Sequence, residues 1–83
     1  MTAVRARAFV LINLASGAAE DVLMILGKMS FIEEVHAVSG PYDMVAVVSG
    51  ATFNEIGKSV LEKIQPVPGI QKTITCNVIF FEN

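Results

Sequence analysis

Residues 35–48, VHAVSGPYDMVAVV, decide the fold. Apolar and β-branched residues stand on both sides of a short interruption, which reads as two strands joined by a turn. Gly40 permits backbone angles that other residues avoid, and Pro41 holds its own φ near −65°, so GPYD reverses the chain stiffly. An Asn-Gly pair would connect two strands as well. This turn instead sets a tyrosine beside an aspartate, and that composition asks for a reason beyond connection.

Working outward, residues 32–39 (IEEVHAVS) form the strand before the turn and residues 44–49 (MVAVVS) the strand after it. Downstream, Thr52-Phe53-Asn54-Glu55 reads as a capping box, with Thr52 and Glu55 each placed to satisfy a backbone N–H that a helix start leaves free. The helix that follows is expected to carry Phe53, Ile56, Val60, Leu61 and Ile64 inward. Pro66-Val67-Pro68-Gly69 stops it, because proline cannot continue the hydrogen-bond ladder and glycine permits the reversal. Residues 70–81 then make a long last strand whose centre, TITCNVIFF, offers apolar groups to both faces.

Upstream, residues 4–14 (VRARAFVLINL) alternate as a strand, with Val4, Ala6, Ala8, Val10, Ile12 and Leu14 on one face and Phe9 and Leu11 on the other. Ser16-Gly17 offer a helix start. In AAEDVLMILGKM, Ala19, Val22, Leu23, Leu26 and Met29 share one stripe while Glu20, Asp21 and Lys28 share the opposite arc, an amphipathic helix. The element order is βαββαβ. Two split βαβ units with right-handed crossovers give an α+β, ferredoxin-like domain over residues 1–83: a four-stranded antiparallel sheet with two helices on one face. The other face is left bare and apolar, which predicts a homodimer packed sheet to sheet.

Composition agrees. The chain has 83 residues, room for one domain, yet 53% are hydrophobic and only 17% charged, with a mean hydropathy of +0.60. A domain this small buries only about 60% of the surface of its unfolded chain, so a second subunit or a membrane must take the excess. Spanning needs about 18 nearly uninterrupted apolar residues, and Asn, Glu, Lys or Gly breaks every run sooner. Arg5, Arg7 and AFVLINL look superficially like a signal peptide, but Asn13 interrupts the apolar stretch, and cleavage there would remove the first strand. The lone Cys76 excludes an internal disulfide and suits a reducing cytoplasm. A net charge of −2 leaves no basic footprint for nucleic acid.

Motifs for catalysis, metals or nucleotide cofactors are missing, and no catalytic residue, metal ligand or cofactor is assigned. His36 has no second metal ligand or nucleophile and reads as a half-buried strand residue. Cys76 reads as a small core hydrophobe, and Met24, Met29 and Met44 as packing. The turn is the one polar constellation. Backbone N–H groups held by Gly40 and Pro41 can take a carboxylate, and Asp43 can take an ammonium, so a free amino acid fits. Equally, Asp43 can simply cap its turn while Tyr42 packs on a helix.

VHAVSGPYDMVAVV, followed after a helix by VPGIQKTITCNVIFFE, resembles the effector-binding (RAM) domain of the Lrp/AsnC family of transcriptional regulators. The resemblance runs over essentially the whole chain, most specifically in V-x-G-x-[YF]-D and P-G-[IV]-x-x-T-x-T. It implies a βαββαβ dimer built sheet to sheet, rings of dimers, and amino acids bound at contacts between dimers. By position, Gly40, Pro41, Tyr42 and Asp43 fall on the loop that grips the amino acid backbone, and Thr73 and Thr75 on threonines near the same pocket. Full-length members begin with a helix-turn-helix domain; this chain begins at its first strand and so resembles the stand-alone RAM proteins. The expectation is a cytoplasmic module without direct DNA binding, sensing an amino acid or related effector and modulating full-length regulators through shared surfaces. The alternative is a small dimeric α/β-barrel enzyme of monooxygenase or isomerase type that uses His36 and a cavity between sheet and helices.

Overall fold

Within residues 5–81, which the computed structural model describes, the chain forms β1 (Ala6–Leu14), α1 (Ala19–Gly27), β2 (Ile32–Ala37), β3 (Met44–Gly50), α2 (Phe53–Ser59) and β4 (Ile70–Asn77). A π-helical turn, Val60–Ile64, continues α2 directly. The strands form one antiparallel sheet in the order β2-β3-β1-β4. Element order and sheet order together make the fold ferredoxin-like.

The period of two along the strands sorts the side chains. Ala8, Val10 and Ile12 of β1 and Met44, Ala46 and Val48 of β3 are fully buried beneath Val22 and Leu26 of α1 and Ile56, Val60 and Ile64 of the second helix. Both helices therefore lie on one face of the sheet. Small residues let them approach: a Cβ added at Gly50 would stand 3.2 Å from Ile56 Cγ1, so Gly50 leaves the space that the isoleucine fills. Gly69 has a similar role at the return to β4, where φ is +99° and a Cβ would meet that of Ala18 at 2.6 Å.

On the opposite face Phe9 is 42% exposed, and its cross-strand neighbours are Val47 and Cys76. Leu11 lies next along, flanked by Val45 and Ile74. Among the described residues no element packs over this surface, and Ile79, Phe80 and Phe81 beyond β4 are exposed as well.

Several expectations are corrected in detail. Phe53 and Leu61 are exposed rather than inward; the buried stripe is Ile56, Val60 and Ile64, and at 100° per residue Leu61 is turned a full step away from Val60. Phe53 sits in the first turn of α2, just past the end of β3 at Gly50, and is 46% exposed. Cys76 is exposed, not core, because its pairing with Phe9 puts it on the bare face. His36 is exposed too, opposite Val45 at the β2 edge, with Nε2 3.2 Å from Glu34 Oε1. Met24 is exposed, whereas Met44 is buried and Met29 packs against the core. The first helix starts without a serine cap: its N-cap is Ala18, with no side-chain hydrogen bond. Strands β2 and β4 end at Ala37 and Asn77, earlier than expected. Val4 lies outside the described residues.

The Thr52 cap is present, its Oγ1 accepting from Glu55 N at 3.1 Å. Thr52→Ala is expected to remove about 1 kcal/mol of stability. Thermal melting should show a midpoint lower by about 4–8 °C, the usual scale for a domain of this size.

Candidate functional site

The turn between β2 and β3 is fastened more firmly than a connection requires. Val38 N donates to Asp43 O at 3.0 Å and closes it. Gly40, at φ +136°, adopts an angle that side-chain-bearing residues rarely accept. Three further bonds tie the loop to the end of β1: Asp43 N donates to Ile12 O at 2.9 Å, Leu14 N donates to Asp43 Oδ2 at 2.8 Å, and Asn13 Nδ2 donates to Pro41 O at 3.1 Å. One carboxylate oxygen of Asp43 is thus committed to the backbone of β1. Among the described residues Oδ1 receives no hydrogen bond, and the side chain as a whole is exposed. Tyr42 is half-buried, with no partner for its hydroxyl among the described residues.

β1 carries a second feature on its other side at the same end. Asn13 pairs with Lys72 and Leu14 with Ile70, so the register shifts here and Gln71 is left without a partner. Such an irregularity re-aims side chains locally. Gln65, Ile70, Gln71, Lys72 and Thr73 line an open groove of ≈ 340 Å³. The π-helical turn, closed by Gln65 N donating to Val60 O at 2.8 Å, brings Gln65 against β4, where its Nε2 donates to Thr73 Oγ1 at 3.0 Å.

Gly40, Pro41, Tyr42 and Asp43 are therefore together at one end of the sheet, and Thr73 is at that end too, two strands away across β1, roughly 10 Å at the usual strand spacing. Thr75 is further along β4, opposite Val10; it shares a face with Thr73 but lies outside the groove. Sequence reasoning passed over Asn13, Gln65, Gln71 and Lys72. Signals for two of them existed: Asn13 is the one amide in an apolar strand, and Lys72 the one charge in β4.

An apolar cleft of ≈ 290 Å³ lies at the far end of the sheet, lined by Arg5, Ala6, Ala51, Thr52, Phe53 and Phe80. His36 borders neither recess. Its partner position, Val45, alternates with the buried Met44 and Ala46, so the imidazole belongs to the bare face, away from the helices. Among the described residues no three His, Cys, Asp or Glu side chains are grouped to hold a metal ion, and no helix is long and apolar enough to cross a membrane.

Residues 7–79 match the family profile described as the Lrp/AsnC ligand binding domain. The chain is 35% identical over 72 residues to the HTH-type transcriptional regulator FL11 of Pyrococcus abyssi, covering 87% of this chain and 47% of that protein. It spans less than half the length of the curated relatives it matches, 33% to 47%. The crystal structure of FFRP-DM1 superposes with a TM-score of 0.85 at 32% identity, over 89% of this chain and 99% of that one. The transcriptional regulator NMB0573 of Neisseria meningitidis, solved as a complex with L-Met, shares the fold with a TM-score of 0.83 at 19% identity, over 90% of this chain and 50% of that one.

Proposed function

The chain belongs to the Lrp/AsnC family through its ligand-binding domain, and from that premise we propose that it is an oligomeric regulatory module whose effector is a free amino acid or a close relative. The effector-binding class follows from the family and from relatives named as transcriptional regulators. The amino acid is the finer step, and the fastened loop is the observation that carries it. Four hydrogen bonds and one glycine hold residues 38–43 in place, so the amides of Gly40 and Tyr42 and the second oxygen of Asp43 keep fixed directions. Pro41 has no N–H and contributes stiffness instead. Fixed donors suit an α-carboxylate, and a carboxylate oxygen beside them suits an α-ammonium.

In this reading Thr73 and Thr75 complete the pocket from a neighbouring subunit, and the bare sheet face forms the dimer on which rings of dimers are built. Binding occurs without turnover, because His36 stands apart from both recesses. The domain acts on transcription through full-length regulators with which it shares these surfaces, not by touching DNA itself, in keeping with its acidic balance and a cytoplasmic setting. A fold neighbour bound to L-Met supports the ligand class.

Native mass spectrometry with a panel of amino acids tests the proposal in one measurement. The expected result is an even number of subunits carrying stoichiometric amino acid. A monomer that binds none of the panel at millimolar concentration would remove it.

A further inference from the structure

The apolar cleft at the far end of the sheet is separated from the β2–β3 loop by the length of β1, roughly 25 Å at the usual rise per residue, and plays no part in the amino acid reading. We infer that it is a second small-molecule site, whose ligand is an aromatic monocarboxylate without an ammonium group. The hollow of ≈ 290 Å³ exists because small residues stand where larger ones would fill it: the buried Ala6 begins β1 opposite Gly50, and Ala51 follows β3 directly. Two phenyl rings border it, Phe53 from the first turn of α2 and Phe80 from the segment beyond β4, and both are exposed. Two of the chain's five phenylalanines are thus gathered at one open recess. Scattered apolar side chains on a surface need no explanation, but apolar groups grouped around a concavity mark a place where something binds. A cavity of roughly 150 Å³ with an apolar lining already takes up benzene, so this one has room for a ring and a short acid-bearing chain.

The polar groups at the cleft select the rest of the ligand. Arg5 is the one charged residue lining it among the described residues. Arg7 is paired with Glu33 at 3.1 Å, whereas Arg5 has no carboxylate partner among the described residues. A guanidinium takes a carboxylate through two parallel hydrogen bonds and repels an ammonium. Thr52 Oγ1 accepts from Glu55 N at 3.1 Å, which leaves the hydroxyl hydrogen free to donate, a second group suited to an anion. Arg5 and Phe80 lie just outside β1 and β4, where Val78 N donates to Arg7 O at 2.8 Å and carries the pairing to the end of the sheet. Standing beyond the strands, they are not confined to one face, and they meet Ala6 and Phe53 around a single recess. Ala6 alternates in step with the buried Ala8, Val10 and Ile12, so the floor of the cleft belongs to the helix side and a partner docked on the opposite face of the sheet does not fill it.

Calorimetric titration of the wild-type protein with 3-phenylpropionate, its neutral isostere 3-phenylpropionamide, and propionate separates the contribution of the ring from that of the charge. The phenylpropionate is expected to bind about tenfold or more tightly than either of the other two, the scale of one charge-assisted hydrogen bond or of one buried ring. Arg5→Gln should weaken its binding about tenfold, and Ala51→Leu, which fills the hollow, should abolish it. Both positions are exposed, and unchanged melting temperatures check that each variant keeps the fold. Amino acid binding at the loop should be the same in both variants as in the wild type. Equal affinity for the acid and the amide, a phenylpropionate affinity that stays within about threefold of the wild type in either variant, or no binding at millimolar concentration would overturn the second site, and none of these results bears on the amino acid reading.

Discussion

Phe9→Asp should dissolve the proposed sheet-to-sheet dimer and leave the subunit folded. Phe9 stands at the centre of the bare face, between Val47 and Cys76 in the adjoining strands. In the isolated subunit it is already 42% exposed, so an aspartate there meets water and the fold loses little. In a sheet-to-sheet dimer a two-fold axis repeats the change, and two carboxylates enter an apolar interface without partners. Each costs several kcal/mol to desolvate, which exceeds what a modest interface holds in reserve. Light scattering at micromolar concentration should therefore report a dimer or a larger even-numbered assembly for the wild type and loss of the dimer for the variant, with far-ultraviolet circular dichroism unchanged. Cys76 gives an independent reading, since its thiol is exposed on the subunit. Slow labelling by a neutral maleimide in the wild type and fast labelling in Phe9→Asp would place the partner on this face. Fast labelling in both, with the wild type monomeric, would leave the face uncovered and the dimer proposal without support.

The bare face was legible in the sequence for a simple reason. Strand periodicity assigns faces without knowledge of the partner strand, so Ala8, Val10 and Ile12 separate from Phe9 and Leu11 by counting alone. Helical periodicity gave Ile56, Val60 and Ile64 just as directly. It misled at Phe53 because apolarity marks a side chain that prefers burial, whereas burial depends on whether sheet lies beneath that turn, and here the sheet has ended. Cys76 failed differently: parity fixes its face once the register with Phe9 is known, but a strand apolar on both sides hides the parity. The site divides along the same line. Gly40-Pro41-Tyr42-Asp43 is contiguous, and its stiffness is written in residue types. Asn13, Gln65 and Lys72 reach the same end of the sheet only through strand pairing and a widened helical turn, which no local pattern encodes. The bond from Leu14 N to Asp43 Oδ2 is of this kind, and it joins two readings that the residues alone set against each other, the aspartate as turn chemistry and the aspartate as ligand.

That bond decides how the ligand reading must be tested, because Asp43→Ala removes a structural acceptor and a charge together. Asp43→Asn separates them. The asparagine carbonyl can still accept from Leu14 N, at 2.8 Å in the native arrangement, so the loop keeps its fastening and the melting temperature should move little. The negative charge that answers an α-ammonium is gone, and the oxygen that faced solvent becomes an amide nitrogen, a donor pointed at another donor. The affinity for an amino acid effector should fall by about 1.5–3 kcal/mol, the range for hydrogen bonds to charged groups, equal to roughly ten- to hundredfold. Asp43→Ala should show the same loss of affinity plus a loss of stability of about 1 kcal/mol. Calorimetric titration and thermal melting, run on both variants with an amino acid that binds the wild type, read the two effects separately. If Asp43→Asn binds as tightly as the wild type while Asp43→Ala melts earlier, the carboxylate serves only to tie the loop to β1, and the ammonium must be held elsewhere.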